Sequence, residues 1–138
     1  MKRLSLVLKL TAPIFLFIGA LHLIIGPNAD VTLGANIPLS VIGDPVLDSQ
    51  NRFFGVSFTI YGVLFYLCAT DLKKYEQVFY CLLAVFFAGG IARLVSMAVA
   101  GMPSIQILVL TGLELLIPPL LVIWYKTLAG QALTSRSS

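Results

Sequence analysis

A chain of 138 residues is long enough for one domain, but 59% apolar and only 11% charged residues do not make a water-soluble one. With a mean hydropathy of +0.98 it reads as a polytopic membrane protein. The net charge of +3 is spread along the chain rather than gathered in a patch, so nothing argues for a nucleic-acid partner, and two cysteines (Cys68 and Cys81) make neither a disulfide framework nor a zinc site.

A membrane-spanning helix needs about 20 mostly apolar residues, because the hydrocarbon core is ~30 Å thick and each residue rises ~1.5 Å. Four stretches meet that requirement. The first runs from about 4 to 26, with Lys9 as its only charge, and a long segment over 27–50 follows it. The second span covers about 51–70 and leads into a short polar loop, Asp71 to Gln77. The third covers about 78–100 and holds Arg93; Gly101-Met102-Pro103 then turns the chain sharply into the fourth, about 104–125, which holds Glu114. Pro118 and Pro119 lack the N–H groups that would bond the carbonyls of Glu114 and Leu115, so a kink is expected there. The tail, 127–138, is small and polar and is expected to be disordered. The fold class is therefore all-α: one integral membrane domain over 1–138, a bundle of four transmembrane helices.

Basic residues sort the loops by side. Lys2, Arg3 and Lys9 flank the first span, Lys73 and Lys74 lie in the second loop, and Lys126 follows the fourth span. The segment 27–50 carries Asp30, Asp44 and Asp48 and no lysine. The positive-inside rule then places both termini in the cytoplasm and the long loop outside. A cleaved secretory signal is the poorer reading of the N-terminus: Pro27 lies two residues before the nearest cleavage candidate, Ala29, and three more spans follow.

Counted by depth, His22, Arg52, Arg93 and Glu114 all fall in the outer half. His22 lies near the outer end of the first helix and Arg52 at the outer start of the second. Arg93 is roughly 10 Å deep and Glu114 roughly 15 Å deep at the helical rise. A charge at mid-bilayer costs about 2.5–3.5 kcal/mol on insertion scales, so Arg93 and Glu114 are expected to pair across the tight turn. Gly89, Gly90 and Ser96 make a small face around Arg93. In the second helix Arg52, Gly55, Thr59, Gly62 and Tyr66 share one face, and Gly19, His22 and Gly26 do so in the first. These stripes suggest a polar interior widening outward. In the outer segment Val31, Leu33, Ala35, Ile37, Leu39 and Val41 alternate with polar or small residues, the pattern of an extended strand with one apolar face, kept from a sheet interior by Pro38.

Each of these features also has a plainer explanation. Arg93–Glu114 can be a clamp that fixes helix register, Arg52 an interfacial anchor paired with Asp48, and His22 a residue bonded to a loop carbonyl. One histidine and two distant cysteines make no metal site, and no cofactor motif is present. Trp124 and Tyr125 read as an interfacial aromatic belt. No catalytic constellation appears.

The run Asn51-Arg52-Phe53-Phe54-Gly55, then Gly89-Gly90-Ile91-Ala92-Arg93-Leu94, then Leu113-Glu114-Leu115, resembles the domain of unknown function 4345 family over nearly the whole chain, most clearly from Pro27 onward. The resemblance implies a small four-helix bacterial inner-membrane protein and no particular activity, and it singles out Arg52, Arg93 and Glu114.

Three functions compete. First stands a non-enzymatic protein whose outward pocket (Arg52, Arg93, Glu114, His22 and Thr59) takes a small anionic molecule, a lipid headgroup or a partner helix; two arginines against one glutamate would leave that pocket positive. Second is a small transporter or transporter subunit, resembling the four-span multidrug exporters. Their membrane glutamate lies in the first span, whereas that span here holds only Lys9 and His22. Third is a membrane enzyme of the four-helix eicosanoid and glutathione class. Beyond the bilayer, the expected partners are another copy of the chain or another membrane protein.

Overall fold

The computed structural model describes residues 1–134. Among them, six helices and no strand are found: α1 (Lys2–Ile25), α2 (Asn28–Thr32), α3 (Leu39–Ile42), α4 (Pro45–Thr70), α5 (Glu76–Ala100) and α6 (Ile105–Thr134). Four of these (α1, α4, α5 and most of α6) are long and apolar enough to cross a membrane, so the chain is an all-helical, multi-pass membrane protein.

Three expectations about the ends of elements are corrected. The alternating segment is not extended: it holds α2, a turn and α3. A strand needs a neighbour to pair its backbone, and none is present; Leu33 N–H bonds Ala29 O, Gly34 N–H bonds Val31 O, and Ala35 N–H bonds Asp30 O instead. Gly34, at φ +98°, makes the left-handed turn that ends α2. The second long helix starts at Pro45, not at 51. Asp44 Oδ1 accepts from the backbone N–H groups of Val46 and Leu47, both at 2.9 Å, and Pro45 takes the first helical position, where no N–H is needed. Finally, α6 continues through 127–134, where a disordered tail was expected. Leu128, Ala129 and Gln131 favour helix, Thr127 Oγ1 bonds Ile123 O at 2.9 Å, and a helix already nucleated propagates cheaply. The last four residues of the expected tail, 135–138, lie outside the described residues.

The expected single domain packs as two compact units. One holds Leu8–Leu67; the other holds Met1–Val7 and the chain from Cys68 onward.

In the first unit α1 and α4 meet backbone to backbone. A methyl group added at Gly55 would lie 2.7 Å from Leu23 N and 2.8 Å from Gly19 O, and one at Gly62 would lie 2.9 Å from Ala12 O. Apolar side chains gain little by leaving lipid for protein, so such close approach supplies the dispersion contact that holds membrane helices together. Phe15 fills the next layer, stacked on Phe65 with centroids 5.4 Å apart and flanked by Tyr61 at 5.1 Å.

The second unit is built around α5 and α6 and a core of rings. Phe79 is fully buried and packs on Tyr125 at 5.6 Å, with Tyr80 edge-on to Tyr125 at 5.8 Å. Tyr125, expected in an interfacial belt, is thus a core residue at 3% exposure. Ser5 Oγ donates to Ala69 O, and Asp71 Oδ1 accepts from the backbone of Lys73 and Lys74. Cys68 is buried and Cys81 exposed.

Candidate functional site

In the unit from Cys68 onward, α5 and α6 come close at Gly90, where an added methyl would lie 2.9 Å from Leu115 Cγ and 3.1 Å from Glu114 Cβ. That absence of a side chain lets Glu114 reach α5. Arg93 Nε donates to Glu114 Oε2 at 2.8 Å, joining the two charges that were expected to meet. Their burial is unequal: the Glu114 side chain is 8% exposed and that of Arg93 32%. Thr111, one turn before Glu114, bonds back to Ile107 O at 2.8 Å. Pro118 and Pro119 sit inside α6, which remains helical through both, so the carbonyls of Glu114 and Leu115 lack their usual amide donors without the helix being broken.

Beside the pair, near the turn after α5, is a hollow of about 70 Å³ lined by Arg93, Ser96, Met97, Gly101, Pro103 and Ile107. Sites for drug-sized ligands run to about 300–1,000 Å³, so this one admits a small group and no more. Among the described residues Arg93 makes no hydrogen bond through its two Nη atoms, and Ser96 makes none through its hydroxyl. Ser57, Thr59, Thr111 and Thr127 all bond back to the carbonyl four residues earlier. Ser96 departs from that habit.

The family model described as Domain of unknown function (DUF4345) matches residues 4–125. The chain belongs to that family. The match takes in Arg52, Arg93 and Glu114, the residues on which the resemblance rested. No curated protein and no solved structure matches the chain.

The other expected site residues of this DUF4345 protein lie in the Leu8–Leu67 unit, and there each is already engaged. Arg52 holds Asp48 with two bonds, Nε to Oδ2 at 2.8 Å and Nη2 to Oδ1 at 3.1 Å. Its Nη1 donates to Leu23 O at 2.6 Å and reaches Ile24 O at 3.4 Å, capping the last turn of α1 with a cation. Gly26, at φ +55°, ends that turn. The surplus positive charge expected from two arginines against one glutamate is therefore absent, since each arginine has its own carboxylate. Thr59 Oγ1 donates to Gly55 O at 2.9 Å and packs against Gly19; it serves the α1–α4 contact.

His22 is 6% exposed and makes two bonds: Nδ1 to Ile18 O at 2.8 Å and Nε2 to Asp30 Oδ1 at 3.3 Å. Asp30 Oδ2 accepts from Asn51 Nδ2 at 2.7 Å. Sequence reasoning did not place Asp30 and Asn51 beside His22: Asp30 read as a loop charge, and Asn51 as the start of a span and the first residue of the family run. The one available signal was an acidic residue eight positions after a lone intramembrane histidine. Among the described residues no group of three metal-ligating side chains occurs.

Proposed function

We propose that this DUF4345 protein is a non-enzymatic protein of the bacterial inner membrane, with both termini cytoplasmic, which holds the anionic part of a lipid headgroup or of a small molecule in the hollow beside Arg93. One observation carries the reading: Arg93 and Ser96 line one small hollow, and the Arg93 Nη groups and the Ser96 hydroxyl have no hydrogen-bond partner among the described residues. Glu114 takes Nε and neutralises the guanidinium, so recognition rests on directed donors rather than on net charge. A planar guanidinium suits carboxylate or phosphate oxygens, and 70 Å³ suits one such group. The intramembrane pair then has two tasks: it holds register between α5 and α6, and it aims the remaining donors.

Native mass spectrometry on protein taken from nanodiscs of mixed phosphatidylglycerol and phosphatidylcholine tests this. Retained phosphatidylglycerol is expected for the wild type, several-fold less for Ser96→Ala, and no preference for Arg93→Gln/Glu114→Gln, which keeps a neutral hydrogen bond between the helices. Equal retention by all three would overturn the reading. A cysteine at Asp44 is expected to react with an impermeant maleimide from outside the cell; protection from it would reverse the topology.

A further inference from the structure

We propose that Lys2, Arg3, Lys73, Lys74 and Lys126, at one end of the second unit, bind the headgroup phosphates of anionic phospholipid in the leaflet around them. The residues come from α1, from the loop between α4 and α5, and from α6, and all lie in that one unit. This surface shares no residue with the hollow beside Arg93.

Three contacts gather the charges. The Ser5 hydroxyl bonds Ala69 O, which ties the first turns of α1 to the last turn of α4, beside the loop. Asp71 Oδ1 accepts from the backbone of Lys73 at 3.2 Å and of Lys74 at 3.1 Å, so the loop closes into a turn with both lysines on it. Tyr125 packs on Phe79 and Tyr80, which sets Lys126 level with the first turns of α5.

The two acids at this end do not neutralise them. Asp71 spends Oδ1 on the loop backbone, and the Glu76 carboxylate lies against the phenol groups of Tyr80 and Tyr125. Among the described residues none of the five cations forms an ion pair, and all five are exposed. Lys74 Nζ stands 5.2 Å over the Tyr75 ring, a contact that leaves its charge uncancelled.

The adjoining surface identifies the counter-charge. Leu6, one turn beyond Arg3 on α1, is 57% exposed, and Ile123, one turn before Lys126 on α6, is 61% exposed. Residues three apart share a helix face, so on both helices a charge stands at the head of an apolar turn. Acyl chains cover such a turn where the helix crosses the bilayer, and phosphates then stand level with the ammonium and guanidinium groups. A soluble anion would meet only the charges; a phospholipid meets both. Arg3 suits phosphate through paired donors, and the lysines act as point charges. On the proposed topology this is the cytoplasmic leaflet, but the binding does not depend on the orientation. Because the side chains are exposed, salt screens the attraction. These lipids therefore exchange with the bilayer and do not stay with protein taken out of it.

Trp124 is the one tryptophan of the chain and lies two residues from Lys126, so its fluorescence reports on this end. The full protein is placed in phosphatidylcholine vesicles that contain brominated phosphatidylglycerol or, at equal mole fraction, brominated phosphatidylcholine. The anionic quencher should be about twofold more effective at low salt, and the difference should vanish in molar salt. Lys73→Gln/Lys74→Gln/Lys126→Gln should remove the preference, and the same three positions changed to Arg should keep it. Ser96→Ala should keep it as well. Equal quenching by the two lipids, or a preference that survives high salt or the glutamine substitutions, would overturn the proposal. So would a preference lost in Ser96→Ala, which would belong to the Arg93 hollow. The two sites fail separately: a hollow that retains no lipid leaves the Trp124 preference in place.

Discussion

The two units meet the same constraint, the absence of a hydrophobic drive between helices inside lipid, by opposite means. In Leu8–Leu67 the helices touch through missing side chains at Gly19, Gly55 and Gly62, and hydrogen bonds then seal the end of the pair where α2 sits. From Cys68 onward, rings fill the space around Phe79 and Tyr125, Gly90 admits the neighbouring helix, and among the described residues a single ion pair stands beside it. Small residues give contact that tolerates no added atom. A ring core with one charge pair leaves room, and the hollow beside Arg93 lies where that room is.

The largest expected effect separates two glycines. Gly55→Leu drives a side chain into the backbone of α1 and should abolish recovery of folded, monodisperse protein. Gly112→Ala, with open space around its Cβ position, should leave the unfolding midpoint unchanged or raise it. If both behaved alike in size-exclusion profiles, the backbone contact assigned to α1 and α4 would be wrong.

The ion pair offers the next test, and its unequal burial fixes the order. Arg93→Gln strands a carboxylate that is 8% exposed and should destabilise by about 2–3 kcal/mol. Glu114→Gln leaves a guanidinium that is one-third exposed and should cost under about 1 kcal/mol. The double variant should recover most of the Arg93→Gln loss in steric-trap or denaturant unfolding. A double variant as damaged as the worse single would remove the clamp from the account.

The smallest effect belongs to Arg52. Arg52→Lys keeps the charge but cannot hold Asp48 with two bonds and also cap Leu23 and Ile24, so a small fall in Tm is expected, and one that shrinks with added salt. A loss as large as that of Arg93→Gln would mean that the exposed pair carries as much as the buried one.

The four apolar runs, the absence of a soluble core and the need of Arg93 for Glu114 were all legible in the residues, because hydropathy and a stranded charge act locally whatever the fold. The start of α4 was legible too: Asp44-Pro45 is a cap followed by a first-turn proline, although an alternating pattern precedes it. The course of 27–44 was not, since an alternating pattern specifies a strand only when a second strand exists to receive its hydrogen bonds. Nor could the sequence say that the stripe Gly55, Thr59, Gly62 is a packing face rather than the wall of a pocket. Periodicity tells which residues share a helix face; the approach and rotation of the neighbouring helix decide what that face meets. The same holds for His22. Its helix and its depth are properties of the chain, but Asp30 and Asn51 become its neighbours only when α2 folds back and α4 starts early enough to bring position 51 beside them.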